Sequence, residues 1–201
     1  MVARAIHLAT EDELSEAVGT RLIDEWKGHL AVDLRFRRGG NGYLRSSIRK
    51  FAEIARITPL LIITDLDQLS CPLELRATWF GKLKSPRDLV LRIAVREIEA
   101  WLLADIDAIR GLFGDRATRR LPDNLDAIRE PKQLLLRIAS YAPRAVREDI
   151  CVEQGGVASQ GLGYNARLCQ LVSASWCPAR AASRSESLRR ARASIRSLAR
   201  P

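Results

Sequence analysis

The stretch LLIITDLDQ, residues 60–68, indicates the fold more directly than any other part of the chain. It begins with four apolar residues in succession, as expected for a strand that is covered on both faces in a parallel sheet. Two aspartates, Asp65 and Asp67, follow where this strand ends. In an open parallel sheet, ligands bind at the carboxyl ends of the strands. The segment therefore predicts a buried strand that presents two carboxylates at the ligand-binding edge.

Strand and helix patterns alternate on both sides of this segment. Strands are predicted at residues 3–8, 30–36, 60–64 and 89–95. The first helix is predicted to begin at Thr10, because Thr10 and Glu13 have the spacing of a capping box. The alternation predicts an α/β domain over residues 1–105, with a four-stranded parallel sheet flanked by helices and right-handed crossovers.

The rest of the chain, residues 106–201, is predicted to form an all-helical extension. A glycine-rich segment, EQGGVASQGLGYN at residues 153–165, interrupts its helical patterns. It matches no phosphate-binding loop, and Gln160, Tyr164 and Asn165 belong either to a substrate groove or to a plain connecting loop. The last helix, at roughly residues 183–199, has an arginine stripe opposite its apolar face.

The composition is that of a soluble globular protein, since 47% of the 201 residues are hydrophobic and 28% are charged. No apolar run approaches the length of a membrane span, and the first residues do not read as a secretory signal. The four cysteines include no CxxC pair, which disfavours a structural zinc site. We expect a cytoplasmic protein with reduced thiols and no membrane contact.

The charge is strongly basic and unevenly distributed. The net charge is +9, and residues 179–201 contain seven arginines but a single acid. Such a segment suits a phosphate backbone or an acidic partner. The predicted nucleic-acid contacts lie in the RRGGNG loop after the second strand and in the last helix: Arg37, Arg38, Arg189, Arg192 and Arg196.

Carboxylates also follow the first and fourth predicted strands, at Glu11 and Glu97. Hard oxygen ligands suit Mg²⁺, with Mn²⁺ as a substitute, and such a metal lowers the pKa of an attacking water. We predict Glu11, Asp65 and Asp67 as catalytic metal ligands and Glu97 as a further ligand, with Glu99 as a structural partner. The simpler alternative is that these acids cap turns and helix starts, where carboxylates are common.

The order of elements and the sequence Asp65-Leu66-Asp67 resemble the toprim domain over about residues 1–105. The segment RIAVREIEAWLLAD, residues 92–105, is similar to small toprim-like proteins that are encoded beside ATPases in prokaryotic defence loci. The resemblance implies Mg²⁺-dependent phosphodiester chemistry, a role in anti-phage defence and an ATPase partner. Toprim domains carry Glu-Gly after the first strand, where His7-Leu8 aligns here, so Glu11 has to supply that acid.

Three functions follow from these observations. The first is a metal-dependent nuclease that acts on DNA or RNA. The alternative, favoured by the missing Glu-Gly, is a non-catalytic binding or regulatory module that docks an ATPase or nucleic acid. The third is a nucleotide-sugar transferase that uses the two aspartates for its metal. The small α/β unit disfavours it, and no second sugar-binding domain follows. Strandedness and oligomeric state are left open by the sequence.

Overall fold

A computed structural model describes residues 2–119, 121–154 and 157–200 of the chain. Its centre is a four-stranded, all-parallel sheet with the strand order β2-β1-β3-β4. The strands are β1 (Arg4–Ala9), β2 (Leu30–Phe36), β3 (Leu60–Asp65) and β4 (Leu89–Ala94). The sheet is flanked by helices, which confirms the predicted fold class.

The position of β3 inside the sheet explains its apolar sequence. It pairs with β1 on one side and with β4 on the other, so its backbone is hydrogen-bonded along both edges. Its residues 60–63 are fully buried, because helices cover both faces of the sheet. Since all four strands run in the same direction, their carboxyl ends meet at a single edge.

One face of the sheet is covered by α2 (Gly40–Ser46), α3 (Ile48–Ile54) and α4 (Pro72–Phe80). Phe51 and Trp79 from these helices join Ile62 of the sheet in one hydrophobic cluster. The opposite face is covered by α1 (Glu13–Asp24), α5 (Ile98–Leu103) and α12 (Glu186–Leu198). The sheet is thus the middle layer of three.

The extension consists mainly of short helices. They are α6 (Ile106–Phe113), α7 (Asp115–Thr118), α8 (Pro131–Ala139), α9 (Arg144–Ile150), α10 (Tyr164–Ala174) and α11 (Pro178–Ala181), with a 3-10 turn at Leu125–Ala127. The indole N–H of Trp101 donates to Oγ of Ser187 at 2.7 Å, and that of Trp176 donates to the Trp101 carbonyl at 3.1 Å. Residues on both sides of position 105 therefore share one core.

The prediction that the extension is all-helical is wrong in one respect. Two strands, β5 (Cys151–Gln154) and β6 (Val157–Gln160), form an antiparallel hairpin. Strands of four residues are too short to show a clear alternation of polar and apolar side chains. The glycines of the predicted loop at positions 155 and 156 lie outside the described residues.

The predicted start of α1 is also wrong, since the N-cap is Asp12 rather than Thr10. The Asp12 carboxylate accepts a hydrogen bond of 2.8 Å from the backbone N–H of Ser15. The Thr10 hydroxyl instead donates to the Asp12 carbonyl at 3.3 Å. Aspartate caps a helix as well as threonine does, so spacing alone did not distinguish the two residues.

The direction of α12 determines where its arginines lie. Its first turn, at Glu186 and Ser187, faces the end of β4 at Ile93 and Val95. Its last turn instead shares a cavity with residues beside the amino ends of the strands. The helix therefore runs antiparallel to the sheet and leads away from the carboxyl edge. Among the described residues, no helix has the length and apolarity needed to cross a membrane.

Candidate functional site

Carboxylates converge at the carboxyl edge of the sheet, and we call five of them the acidic cluster: Glu11, Asp65, Asp67, Glu97 and Glu99. Asp65 is the last residue of β3. Glu11, Asp67 and Glu97 follow the ends of β1, β3 and β4, and Glu99 lies in the first turn of α5. The backbone N–H of Leu66 donates to the carbonyls of Ala94 and Arg96, both at 2.9 Å. This contact joins the segment after β3 to the segment after β4.

Glu11 is anchored to the end of β3. Its Oε1 accepts a hydrogen bond of 3.0 Å from the Asp65 N–H and a second one from the Thr64 hydroxyl. Burial raises the pKa of Glu11, and these two hydrogen bonds offset only part of that effect. The predicted metal-facing acid is therefore at the cluster, with its Oε1 occupied by protein donors.

Asp65 carries an oxygen that has no partner. Its Oδ1 is buried and receives no hydrogen bond from the described residues. Burial raises the pKa of Asp65 well above its usual value, and the charges of Glu99 and Glu11 raise it further. A buried carboxylate without donors is unstable as an anion unless a cation or a proton balances it.

Glu99 is the most deeply buried acid of the cluster, with 2% of its surface exposed. Its Oε1 accepts a hydrogen bond of 2.8 Å from the Tyr164 hydroxyl and lies 3.6 Å from Nζ of Lys132. Its Oε2 is buried and unpartnered within the described part of the chain. Burial raises the pKa of Glu99, and the charge of Lys132 and the hydrogen bond from Tyr164 offset part of this increase.

Two residues of the extension thus belong to the site. Besides its ion pair with Glu99, Lys132 donates its backbone N–H to Oε2 of Glu97 at 2.8 Å. Burial opposes the charge on Lys132, but Glu99, Glu97 and Asp65 together raise its pKa. Sequence reasoning missed Lys132, because no spacing pattern links it to the strands. The sequence leaves Tyr164 open between a substrate groove and a connecting loop, and it indicates no contact with Glu99.

Asp67 adopts an unusual backbone conformation at the edge of the cluster. Its φ of 53° lies in the left-handed region, which aspartate tolerates better than most residues. Its Oδ2 accepts a hydrogen bond of 3.1 Å from the Asn41 amide. Gly39 and Gly40, both with positive φ, form the turn that places Asn41 there. The loop after β2 thereby closes one side of the site.

The predicted nucleic-acid arginines divide into two groups. Arg37 and Arg38 lie in the loop after β2, beside the acidic cluster, and Arg37 pairs with Glu16 at 3.0 Å. The arginines of α12 lie on a helix that leads away from this edge. Arg189 pairs with Glu186, Arg192 pairs with Glu25 through two bonds of 2.8 Å, and Arg196 is exposed.

Four acids of the cluster already have protein donors. Glu11 accepts from Thr64, Asp67 from Asn41, Glu97 from the Lys132 N–H and Glu99 from Tyr164. Among the residues that the structure describes, no three His, Cys, Asp or Glu side chains form a group that could hold a metal as they stand. Two cluster oxygens are buried without a donor among the described residues, Oδ1 of Asp65 and Oε2 of Glu99.

The cluster therefore combines carboxylates that range from the buried Glu99 to the exposed Asp67 with Lys132 as a counter-charge. It can bind a proton or a cation at its two buried, unpartnered oxygens, and the neighbouring loop carries the exposed Arg38, which suits an anion. Comparisons of the chain with protein-family models, with curated proteins and with solved structures gave no significant match.

Proposed function

We propose that this protein is a metal-dependent nuclease, which hydrolyses phosphodiester bonds with Mg²⁺, or Mn²⁺ as its substitute, at the acidic cluster. One observation carries the proposal. Asp65 and Glu99 are neighbouring buried carboxylates, and each has a buried oxygen that no described residue hydrogen-bonds. Burying like charges in this way is costly, and a divalent cation between them would remove the cost.

The free oxygens identify the residues that would hold the metal. Asp65 and Glu99 would bind it directly, and Glu11 or Asp67 would join through the carboxylate oxygen that its protein donor does not occupy. Mg²⁺ needs few protein ligands, since it usually keeps several waters and takes one or two carboxylates. Glu97 accepts the Lys132 N–H at Oε2, so it would join the metal only through its Oε1. The metal would lower the pKa of the attacking water and neutralise charge on the leaving oxygen.

Arg37 and Arg38 are the proposed contacts to the phosphate backbone, because their loop borders the acidic cluster. Arg38 forms no ion pair with the described residues, whereas Arg37 would have to exchange Glu16 for the phosphate. Contacts of this kind fix the position of a nucleic acid and carry no sequence information. The net charge of +9 favours such binding. From the resemblance alone, the proposal includes an effector role in cytoplasmic anti-phage defence with an ATPase partner.

A cleavage assay tests the nuclease. Labelled single- and double-stranded DNA and RNA are incubated with the protein in Mg²⁺, in Mn²⁺ and in EDTA. We expect cleavage of at least one substrate only with metal, and a loss of at least about 100-fold in Asp65→Asn and in Glu99→Gln. Asp24→Asn is the matched control, because Asp24 is exposed on α1 and outside the acidic cluster. Metal-dependent cutting by both cluster variants at the wild-type rate would refute the proposed site.

A specific observation also supports the second candidate, a non-catalytic module. Lys132 already places a cation against Glu99, and its charge interacts with Glu97 and Asp65 as well. In a module without metal, this lysine would be the permanent counter-ion of the cluster. The two functions predict different responses to Mn²⁺. If the protein is the nuclease, Mn²⁺ raises the melting temperature of the wild type and not that of Asp65→Asn. If it is the module, Mn²⁺ leaves both melting temperatures unchanged.

A further inference from the structure

A cavity of about 270 Å³ lies at the outer edge of the sheet, where β4 has no neighbouring strand. It is bounded by α4 on one side and by the first turn of α12 on the other. It shares no lining residue with the acidic cluster. Three arginines converge on it from three elements: Arg76 of α4, Arg92 of β4 and Arg190 of α12.

Arg92 is the unusual member of this group. It is half-buried, its Nε is buried without a hydrogen bond, and it forms no ion pair with a carboxylate of the described residues. Burial lowers the pKa of Arg92, and the charges of Arg76 and Arg190 lower it further. The Arg92 guanidinium thus lies in a partly desolvated site among like charges, and no described carboxylate compensates its charge.

The acids that line the same cavity are occupied elsewhere. Asp126 accepts hydrogen bonds from the Ser185 hydroxyl at 2.6 Å and from the Ser187 N–H at 2.7 Å. Glu186 is bound by Arg189 and Arg190, and these contacts lower its pKa to about 2. Neither carboxylate is available to neutralise Arg92, so a bound anion would supply the counter-charge that the described residues do not.

We propose that this cavity binds the terminal phosphate of a nucleotide, with Arg92, Arg76 and Arg190 as its ligands. A phosphomonoester carries a charge of roughly −1.5 to −2 at pH 7. Glu186 already neutralises part of the charge on Arg190, so the remaining positive charge of the three guanidiniums is close to that of the phosphate with opposite sign. Guanidinium forks suit phosphate oxygens because they donate two parallel hydrogen bonds. The site and the acidic cluster are separate, so this proposal does not depend on the nuclease.

The apolar wall of the cavity selects the rest of the ligand. Leu91, Ile93 and Val95 line it beside the arginines. A free phosphate ion would leave this apolar surface uncovered, whereas the sugar and base of a nucleotide would cover it. A volume of about 270 Å³ holds the phosphate and part of the attached group, so the sugar would lie inside and the base would cover the part of the apolar wall at the mouth.

Calorimetric titration of the whole chain tests the site with four probes: inorganic phosphate, a sugar phosphate, a nucleoside 5′-monophosphate and the matching nucleoside. We expect the nucleotide to bind most tightly, both other phosphates to bind more weakly, and the nucleoside not to bind. In Arg92→Gln and in Arg76→Gln the affinity for the nucleotide should fall by about tenfold or more. Arg116→Gln is the control, since it removes the same charge from an exposed position on α7.

Circular dichroism establishes that the two variants are folded, and Arg76→Gln serves alone if Arg92→Gln is not. Undiminished nucleotide affinity in the folded variants would overturn the assignment of the arginines, and so would a wild-type chain that binds no phosphate. Equal affinity for inorganic phosphate and for the nucleotide would overturn the role of the apolar wall.

Discussion

The hydroxyl of Tyr164 donates a hydrogen bond of 2.8 Å to Oε1 of Glu99, across 65 positions of the sequence. It connects the first residue of α10 in the extension to the helix that follows β4. Burial raises the pKa of Tyr164 and the Glu99 charge adds to this effect, so the phenol is a permanent donor. The extension therefore supplies side chains that contact the acidic cluster, in addition to covering the sheet.

The first prediction concerns this hydrogen bond. Tyr164→Phe removes the donor and leaves Oε1 of Glu99 with Lys132 alone. We expect the free energy of unfolding to fall by about 1–3 kcal/mol, the cost of leaving a buried polar group unsatisfied. Urea denaturation at pH 7 measures it. Tyr43→Phe removes a hydroxyl on the other face of the sheet and should cost less than about 0.5 kcal/mol. Similar losses in the two variants would contradict the role of Tyr164.

The second prediction concerns the glycine that brings Tyr164 into place. A Cβ on Gly161 would collide with the backbone carbonyl of Asp149, because the Gly161 N–H is bonded to the Ile150 carbonyl at 2.9 Å. Backbone cannot yield as a side chain does, so Gly161→Ala should destabilise the fold by about 1–3 kcal/mol. It should also shift the titration of the acidic cluster.

Gly111→Ala is the matched control for that variant. A Cβ at Gly111 meets nothing within 4 Å, and the residue lies within α6. Alanine there should stabilise the protein by up to about 1 kcal/mol through helix propensity. Thermal unfolding measures the change in melting temperature of both variants. We expect a decrease for Gly161→Ala and an increase for Gly111→Ala, and changes of the same sign would show that Gly161 is not constrained.

The third prediction concerns pH. The pKa of Asp65 is raised by burial and by Glu99 and Glu11, so the folded state binds this proton more tightly than the unfolded state. Its contribution to stability is complete below the ordinary aspartate pKa of about 3.9 and is lost as pH rises through the raised value. In EDTA, Asp65→Asn should therefore gain stability relative to wild type as pH rises from about 4 to 7.

Urea denaturation across this pH range measures the difference between the two proteins. The Asp24→Asn variant, an exposed change outside the acidic cluster, is measured beside it as the control. A pH-independent difference for Asp65→Asn would mean that its carboxyl titrates normally in the folded protein.

The strands of the sheet could be predicted from the sequence, because residues 60–63 are apolar on both faces and two aspartates lie just beyond them. The carboxyl ends of parallel strands meet at one edge, so the proximity of Glu11 and Asp65 could be predicted as well. The contacts of Lys132 and Tyr164 could not be predicted, since side chains brought together by packing of an extension leave no periodic pattern. Helical spacing likewise placed Arg192 opposite the apolar face of α12, but not against Glu25.

The fourth prediction concerns Asp105, a fully buried carboxylate at the start of α6. It accepts two hydrogen bonds of 2.8 Å from Arg180 and one of 2.7 Å from the Cys177 N–H. Arg180→Met leaves this charge without its cation. Breaking a buried pair costs roughly 3–5 kcal/mol. Because the Arg180 side chain is 46% exposed, water can replace part of the interaction, and we expect about 2 kcal/mol.

Guanidinium chloride denaturation measures this loss. Arg189→Met breaks an exposed pair with Glu186 and should leave the midpoint unchanged. An unchanged midpoint in Arg180→Met as well would show that Asp105 is adequately held by backbone donors alone.

The fifth prediction separates Arg38, which is proposed to bind nucleic acid, from Arg192, which stabilises the fold. Arg192 is joined to Glu25 by two bonds of 2.8 Å and connects α12 to the end of α1. Arg38 is exposed beside the acidic cluster. Arg192→Ala should lower the free energy of unfolding by about 1 kcal/mol and leave nucleic-acid affinity unchanged. Arg38→Ala should leave stability unchanged and weaken binding.

Fluorescence anisotropy with labelled oligonucleotides at several salt concentrations tests the two arginines together with urea denaturation. Losing one phosphate contact should reduce the slope of log affinity against log salt by roughly 0.7–0.9 in Arg38→Ala. The slope should stay at its wild-type value in Arg192→Ala, because that guanidinium is already neutralised by Glu25. If Arg192→Ala flattens the slope and Arg38→Ala does not, nucleic acid binds along α12 and not at the carboxyl edge of the sheet, and the proposed substrate path is wrong.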